Sequence, residues 1–224
     1  MFHRLRIIQS PTEQMTAATD VLIAGAAIAC ATGVRGLRAR APWKAAIWTA
    51  AYGTVATGAT LGAIAHGFEM SKATNTRIWQ PLNLALSTTV ALFVVGTVYD
   101  TWGEATARRA LLPALAVGGA FWKTIPVGQT EFWPFLIYQA AGMLLALGSY
   151  GRLALRGTPG AAWMVTGILL SMAAAGIQAD GRAALKVGVE LDANSVYHLV
   201  QLAGILALYM GIRESLLTEA SPEG

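Results

Sequence analysis

Charge is scarce in this chain: Asp, Glu, Lys and Arg make up 12% of its 224 residues, about half the share carried by a typical water-soluble domain. Cysteine is scarcer. The single Cys30 lies inside an apolar run, which excludes a disulfide framework and any paired-cysteine metal motif. There are three histidines and no HExxH string, so the one-helix zinc-hydrolase pattern is missing. The 16 Lys and Arg are scattered between apolar runs, so a pI near 9.5 does not signal nucleic acid, which would need a contiguous basic stripe. The last apolar run contains no lysine, which leaves no site there for a retinal Schiff base. Neither an inverted repeat nor a pair of broken helices stands out, which speaks against a transporter.

What is plentiful is hydrocarbon. Hydrophobic residues make up 55% of the chain and the mean hydropathy is +0.51. Apolar runs occupy about 15–34, 43–66, 78–99, 108–125, 132–150, 161–178 and 194–212, each close to the roughly 20 residues that cross a bilayer as a helix. The expectation is an all-α integral membrane bundle of seven transmembrane helices, a single domain over residues 1–224. It is expected to lie multi-pass in a cell membrane, of the bacterial inner-membrane kind, with membrane lipids as partners and any protein subunits unidentified. The run after "MFHRLRIIQSPTEQ" is longer than a signal-peptide core, holds Asp20 and is followed by "RGLRAR", which favours a retained first span.

The connections are short and punctuated: "RGLRARAP", "EMSKATNT", "DTWGEATAR", "VGQTE" and "RGTPG". The fourth run is short and holds Pro113, Gly118 and Gly119, which loosen or kink helices. The longer connection, 178–192, reads as a short interfacial helix or a cap over one end. Tryptophans 43, 79, 102, 122, 133 and 163 fall near run ends, matching an interfacial aromatic belt. Placing the loop of Arg35, Arg38, Arg40 and Lys44 inside collects nine of the 16 Lys and Arg on the cytoplasmic side. The positive-inside bias then sets the N-terminus outside and the C-terminus cytoplasmic.

Polar residues gather on the outer side of this topology. Glu13, Thr16 and Asp20 follow one another by three and four; Thr54, Gly58, Gly62 and His66 recur every fourth residue; Gln80, Asn83 and Ser87 share a face. The last run opens "DANSVYHLVQ", in which Asn194, His198 and Gln201 fall on one helix face. Lipid does not satisfy such groups, so they imply a shared interior pocket lined by spans one, two, three and seven. Gly58 and Gly62 read as a notch for close helix approach. Asp20 has a plainer role open to it, pairing with Lys123 or capping a helix.

Two imidazoles and a carboxylate make a three-ligand set for catalytic zinc. In that reading His66 and His198 are the metal ligands, and Asp20 or Glu69 completes the set or activates water for hydrolysis of a lipid amide or ester. Asn83, Asn194 and Gln201 orient ligands or substrate. The alternative is a non-catalytic binding protein or subunit in which the two histidines hold haem b, or the pocket holds a lipid.

"GAIAH" and "NSVYH", placed late in the second span and early in the seventh, resemble the seven-span superfamily of alkaline ceramidases and adiponectin-type receptors, called CREST. The resemblance implies a zinc site with a histidine at His66 and another at His198. It departs at Gly62, where the family has serine, at Asn194, where it has histidine, and at Asn83, which stands in for its aspartate. "TEQMTAATD" and "NSVYHLVQ" are also similar to segments of uncharacterised bacterial seven-span proteins.

Overall fold

The polar pauses between apolar runs become helix caps. A computed structural model describes residues 6–124, 133–186 and 188–219. Ser10 accepts a hydrogen bond from the Glu13 amide and Pro11 fills the first turn, starting α1 (Pro11–Gly36). These are the residue types that satisfy or dispense with the orphan amides at a helix start. Pro42 opens α2 (Pro42–Gly67) in the same way. Ser71 caps α3 (Lys72–Trp102) and Asp192 caps α7 (Ala193–Thr218), each accepting an amide three residues on. Between them lie α4 (Glu104–Thr124), α5 (Trp133–Leu155) and α6 (Ala161–Asp180).

The chain is all-α in its large elements, with one helix for each expected run. Four of them, α1, α3, α6 and α7, are long and apolar enough to cross a membrane by length and composition. The chain passes from α3 to α4 through Gly103 alone, at φ +83, a left-handed conformation that a side chain would resist. Pro113 does not break the fourth helix, which runs through it. Among its described residues the 178–192 connection holds no interfacial helix: beyond the end of α6 it folds as a hairpin of β1 (Leu185–Lys186) against β2 (Glu190–Leu191), with β2 touching α1 and α7. A second extended pairing joins Arg6–Ile7 to Phe68–Glu69 and ties the chain before α1 to the end of α2. The "VGQTE" connection lies outside the described residues, as does the side chain of Trp133.

Packing makes a ring. Each helix touches the next in the order α1, α2, α3, α5, α6, α7 and back to α1, while α4 packs outside the ring, chiefly against α3. The seam between α6 and α7 is close: a Cβ on Gly204 would stand 2.9 Å from Ser171 Oγ, and one on Gly211 would stand 2.7 Å from the Gly160 carbonyl oxygen. Small residues let backbones approach where no hydrophobic force separates helix from lipid.

Polar side chains are enclosed within a mostly apolar core, and large apolar side chains stand outside it. Thr16, Thr19, Asp20, Lys44, Ser171, Ser195 and His198 are buried, whereas Val21, Leu22, Ile28, Leu145, Leu169 and Leu206 are exposed. On α4, Leu112 is 76% exposed.

Candidate functional site

The ring encloses a cavity of about 590 Å³, lined from all six ring helices and from none of α4. The cavity is two-toned along its length. Toward the end where α2 stops and α7 starts, its walls are Asp20, His66, Asn75, Asn83, Asn194 and His198. Toward the middle they are mostly apolar, Val55, Leu86, Phe93, Met143 and Leu208, with Thr89 and Ser171 among them. Tyr52 reaches across from α2 and donates to the Ile205 carbonyl of α7 at 3.3 Å. Beside it Trp48 packs edge-on against Phe93 and flat against Gly96.

Each histidine of the polar end is oriented by α1. His66 Nδ1 donates to Glu13 Oε2 at 2.6 Å. Thr19 Oγ1 donates its only proton to the Thr16 carbonyl at 2.8 Å, so at its 2.9 Å contact with His198 Nδ1 the hydroxyl accepts. The His198 tautomer is thereby fixed with hydrogen on Nδ1. Its Nε2 stands 3.4 Å from Asp20 Oδ1. Asp20 sits in a glycine notch: a Cβ on Gly62 would meet its Oδ2 at 2.7 Å. Gly58 faces Leu86 instead, so of the two glycines read as a helix notch, one serves packing and the other the carboxylate.

Of the residues singled out from sequence, Asp20, His66, Asn83, Asn194, His198 and Gln201 all line this one cavity. Gln201 donates to Ser171 of α6 at 3.0 Å, and the buried Oδ1 of Asn83 has no hydrogen-bond partner among the described residues. Glu69 stands apart: it is exposed in the short strand pairing with Arg6 and does not line the cavity. Glu13 takes the place beside His66 that the reading had given to Glu69. Lys123, the alternative partner for Asp20, is exposed on α4 outside the ring. The pocket walls extend beyond spans one, two, three and seven to α5 and α6, through Gln139, Ser171 and Gln178.

Three contributors were missed. Trp79, expected in the lipid belt, lines the cavity, with its indole donating to Asn75 at 2.8 Å and its ring edge-on to His66. Tyr197 packs beside His198 at 4.9 Å between ring centres; it follows Asn194 by three and precedes Gln201 by four, so helical spacing puts it on the same face, where an aromatic side chain gives no polar signal. The third is a polar cluster at the opposite end. Lys44, 2% exposed, pairs with Asp100 at 2.7 Å and Glu219 at 3.0 Å and donates to Ser215, while Tyr150 donates to the other Asp100 oxygen at 2.7 Å. It bounds a separate hollow of about 540 Å³ that shares no lining residue with the central cavity.

Among the described residues, no group of three or more His, Cys, Asp and Glu is assembled to hold a metal ion. The Nδ1 atoms of both histidines are turned to α1, and the Nε2 of His198 is met by Asp20.

No curated protein and no solved structure matches the chain. A family model matches residues 15–217, from the first turns of α1 to the end of α7. The chain therefore belongs to that family, which is described as a family of unknown function (DUF6962).

Proposed function

We propose that this is a seven-span integral membrane protein whose helix ring binds a membrane-derived amphiphile, polar group toward His66, Asp20 and His198 and hydrocarbon toward Phe93 and Leu208. The observation that carries the reading is the polarity gradient along one cavity, polar at one end and mostly apolar in the middle. A ligand pocket of a few hundred cubic ångströms, mostly apolar with a few convergent polar groups, is the usual form of a small-molecule site. The surface supports the membrane reading: large apolar side chains stand outside, and the ionisable Asp20, Lys44 and His198 are enclosed. So do the helix lengths, since the shortest, α6, has 20 residues and so spans about 30 Å at 1.5 Å per residue.

The zinc hydrolase and haem readings fit the residues less well. Catalytic zinc takes three protein ligands and a water, and the described residues assemble no such set. Axial ligation of haem by His198 would require its Nε2, which faces the Asp20 carboxylate. No step is therefore derived through either group, and binding is favoured over catalysis.

The test is retention of an amphiphile by the chain released from lipid nanodiscs into a native mass spectrometer. One bound amphiphile per chain is expected. Val55→Trp, which fills the apolar part of the cavity and leaves the polar end untouched, should lower retention about tenfold, an added cost of about 1.4 kcal/mol. Equal retention by the two proteins would remove the cavity from consideration as the binding site.

A further inference from the structure

We propose that the polar end of the cavity selects an ammonium headgroup, with the Asp20 carboxylate as its counter-ion and a proton released from the Asp20 and His198 pair on binding. The proposal rests on the amphiphile reading above and names the ligand's charge.

The argument begins with hydrogen. With Nδ1 of His198 fixed as a donor to Thr19, its Nε2 and Asp20 Oδ1 face each other at 3.4 Å. A carboxylate oxygen and a bare imidazole nitrogen present lone pair to lone pair, so the pair holds one proton on one atom or the other. The pair as a whole is neutral. A cation arriving beside Asp20 needs the carboxylate ionised and the imidazole neutral. The shared proton then leaves for buffer base through the mouth of the cavity; an N–H or O–H bond breaks and a bond from that hydrogen to the buffer base forms.

The walls favour a cation over an anion. Trp79 and Tyr197 line the same end, each packed against one of the two histidines at ring separations of 5.6 and 4.9 Å. Aromatic faces beside a carboxylate are the recognised setting for quaternary and primary ammonium groups. Charge points the same way. From α1 come Glu13 and Asp20, from the start of α7 Asp192, and from α2 the second imidazole, His66, already paired with Glu13. Asp192 is turned away to Thr16 and Ser195. Among the described residues, the one lysine lining the cavity, Lys72 of α3, stands exposed at the rim, and from α5 and α6 only the neutral Gln139, Ser171 and Gln178 bring polar atoms. Among those residues the depth of the site thus offers a buried carboxylate and no fixed cation.

Three probes with one chain length separate the possibilities: decyltrimethylammonium, decanol and decanoate, titrated into the full-length protein in nanodiscs with empty nanodiscs as the reference. The expected result is that the ammonium binds at least about tenfold tighter than decanol and decanoate weakest. Calorimetry in two buffers of different ionisation heat should give about one proton released per ammonium bound, and none for decanol. Because a proton leaves, affinity for the ammonium rises with pH, by up to about tenfold per unit while the pair still holds its proton. Asp20→Asn should bring the ammonium-to-alcohol ratio toward one and abolish proton release. Gly62→Ala, which crowds the carboxylate without removing it, should lower the same ratio and guards against an Asp20 variant that fails to fold. Decanol binding as tightly as the ammonium, or decanoate tighter than either, overturns the charge assignment and leaves the amphiphile cavity standing. Binding of none of the three overturns both.

Discussion

Lys44 shows how much a single residue commits this fold. Its ammonium is 2% exposed and is met by carboxylates from α3 and from the end of α7. Removing one partner of a buried pair strands the other, typically at about 3–5 kcal/mol. Lys44→Ala is therefore expected to lower the thermal unfolding midpoint sharply, and Lys44→Met combined with Asp100→Leu should recover more than half of the loss. An unchanged midpoint in Lys44→Ala would mean that the cluster contributes nothing. This lysine was illegible in the sequence. Near a helix start it reads as a topology charge, and its partner Glu219 is 175 positions away. Asp20, His66 and His198 were legible because an ionisable group in an apolar run has few places to go, and helical spacing says which of its neighbours go with it. Glu69 misled for the same reason. It follows His66 by three, but α2 ends at Gly67 and the chain is extended beyond it, so the helical rule no longer applies.

At the scale of elements, the α6 and α7 seam is held by residues with almost no side chain. Gly167, Gly204 and Gly211 each have a neighbour that an added Cβ would strike within 3.0 Å. Gly211→Val forces the helices apart, at a cost of about 1–3 kcal/mol for overpacking and with loss of the Gln201 to Ser171 bond. Faster proteolysis at the 181–192 hairpin connection is the expected readout, and a protease pattern identical to the unsubstituted chain would count against it. Sequence placed the helices well because capping residues and apolar length are local. It missed the hairpin because two-residue strands leave no periodicity to read, and it said nothing of which helices adjoin. The glycine spacing of α2 announced a close approach, yet only the structure assigns Gly62 to a carboxylate and Gly58 to a leucine.

For the whole molecule, the ring order explains why polar residues from distant parts of the sequence meet. Glu13 joins His66, and Thr19 joins His198, because α1 lies between α2 and α7. The proposed seven spans place the His66 end outside and the Lys44 end in the cytoplasm. In a Cys30→Ala background, Ser71→Cys should react with an impermeant maleimide added to intact cells, and Thr106→Cys only after lysis. The reverse pattern inverts the orientation; labelling of both in intact cells refutes an odd number of crossings between them. Of this level the sequence foretold the meeting of the polar residues at the His66 end, but not the exclusion of α4, whose run stands apart by its length, proline and glycines and not by anything that tells its place.

The knot of Lys44, Asp100, Glu219 and Tyr150 ties α2, α3, α5 and α7 together at one end, while the opposite rim is edged by helix starts and an exposed lysine. The knot bounds a hollow of its own that shares no wall with the central chamber, so the two ends of the ring are separate compartments. On the proposed reading, loosening the knot should therefore cost stability while leaving the chamber's occupancy unchanged.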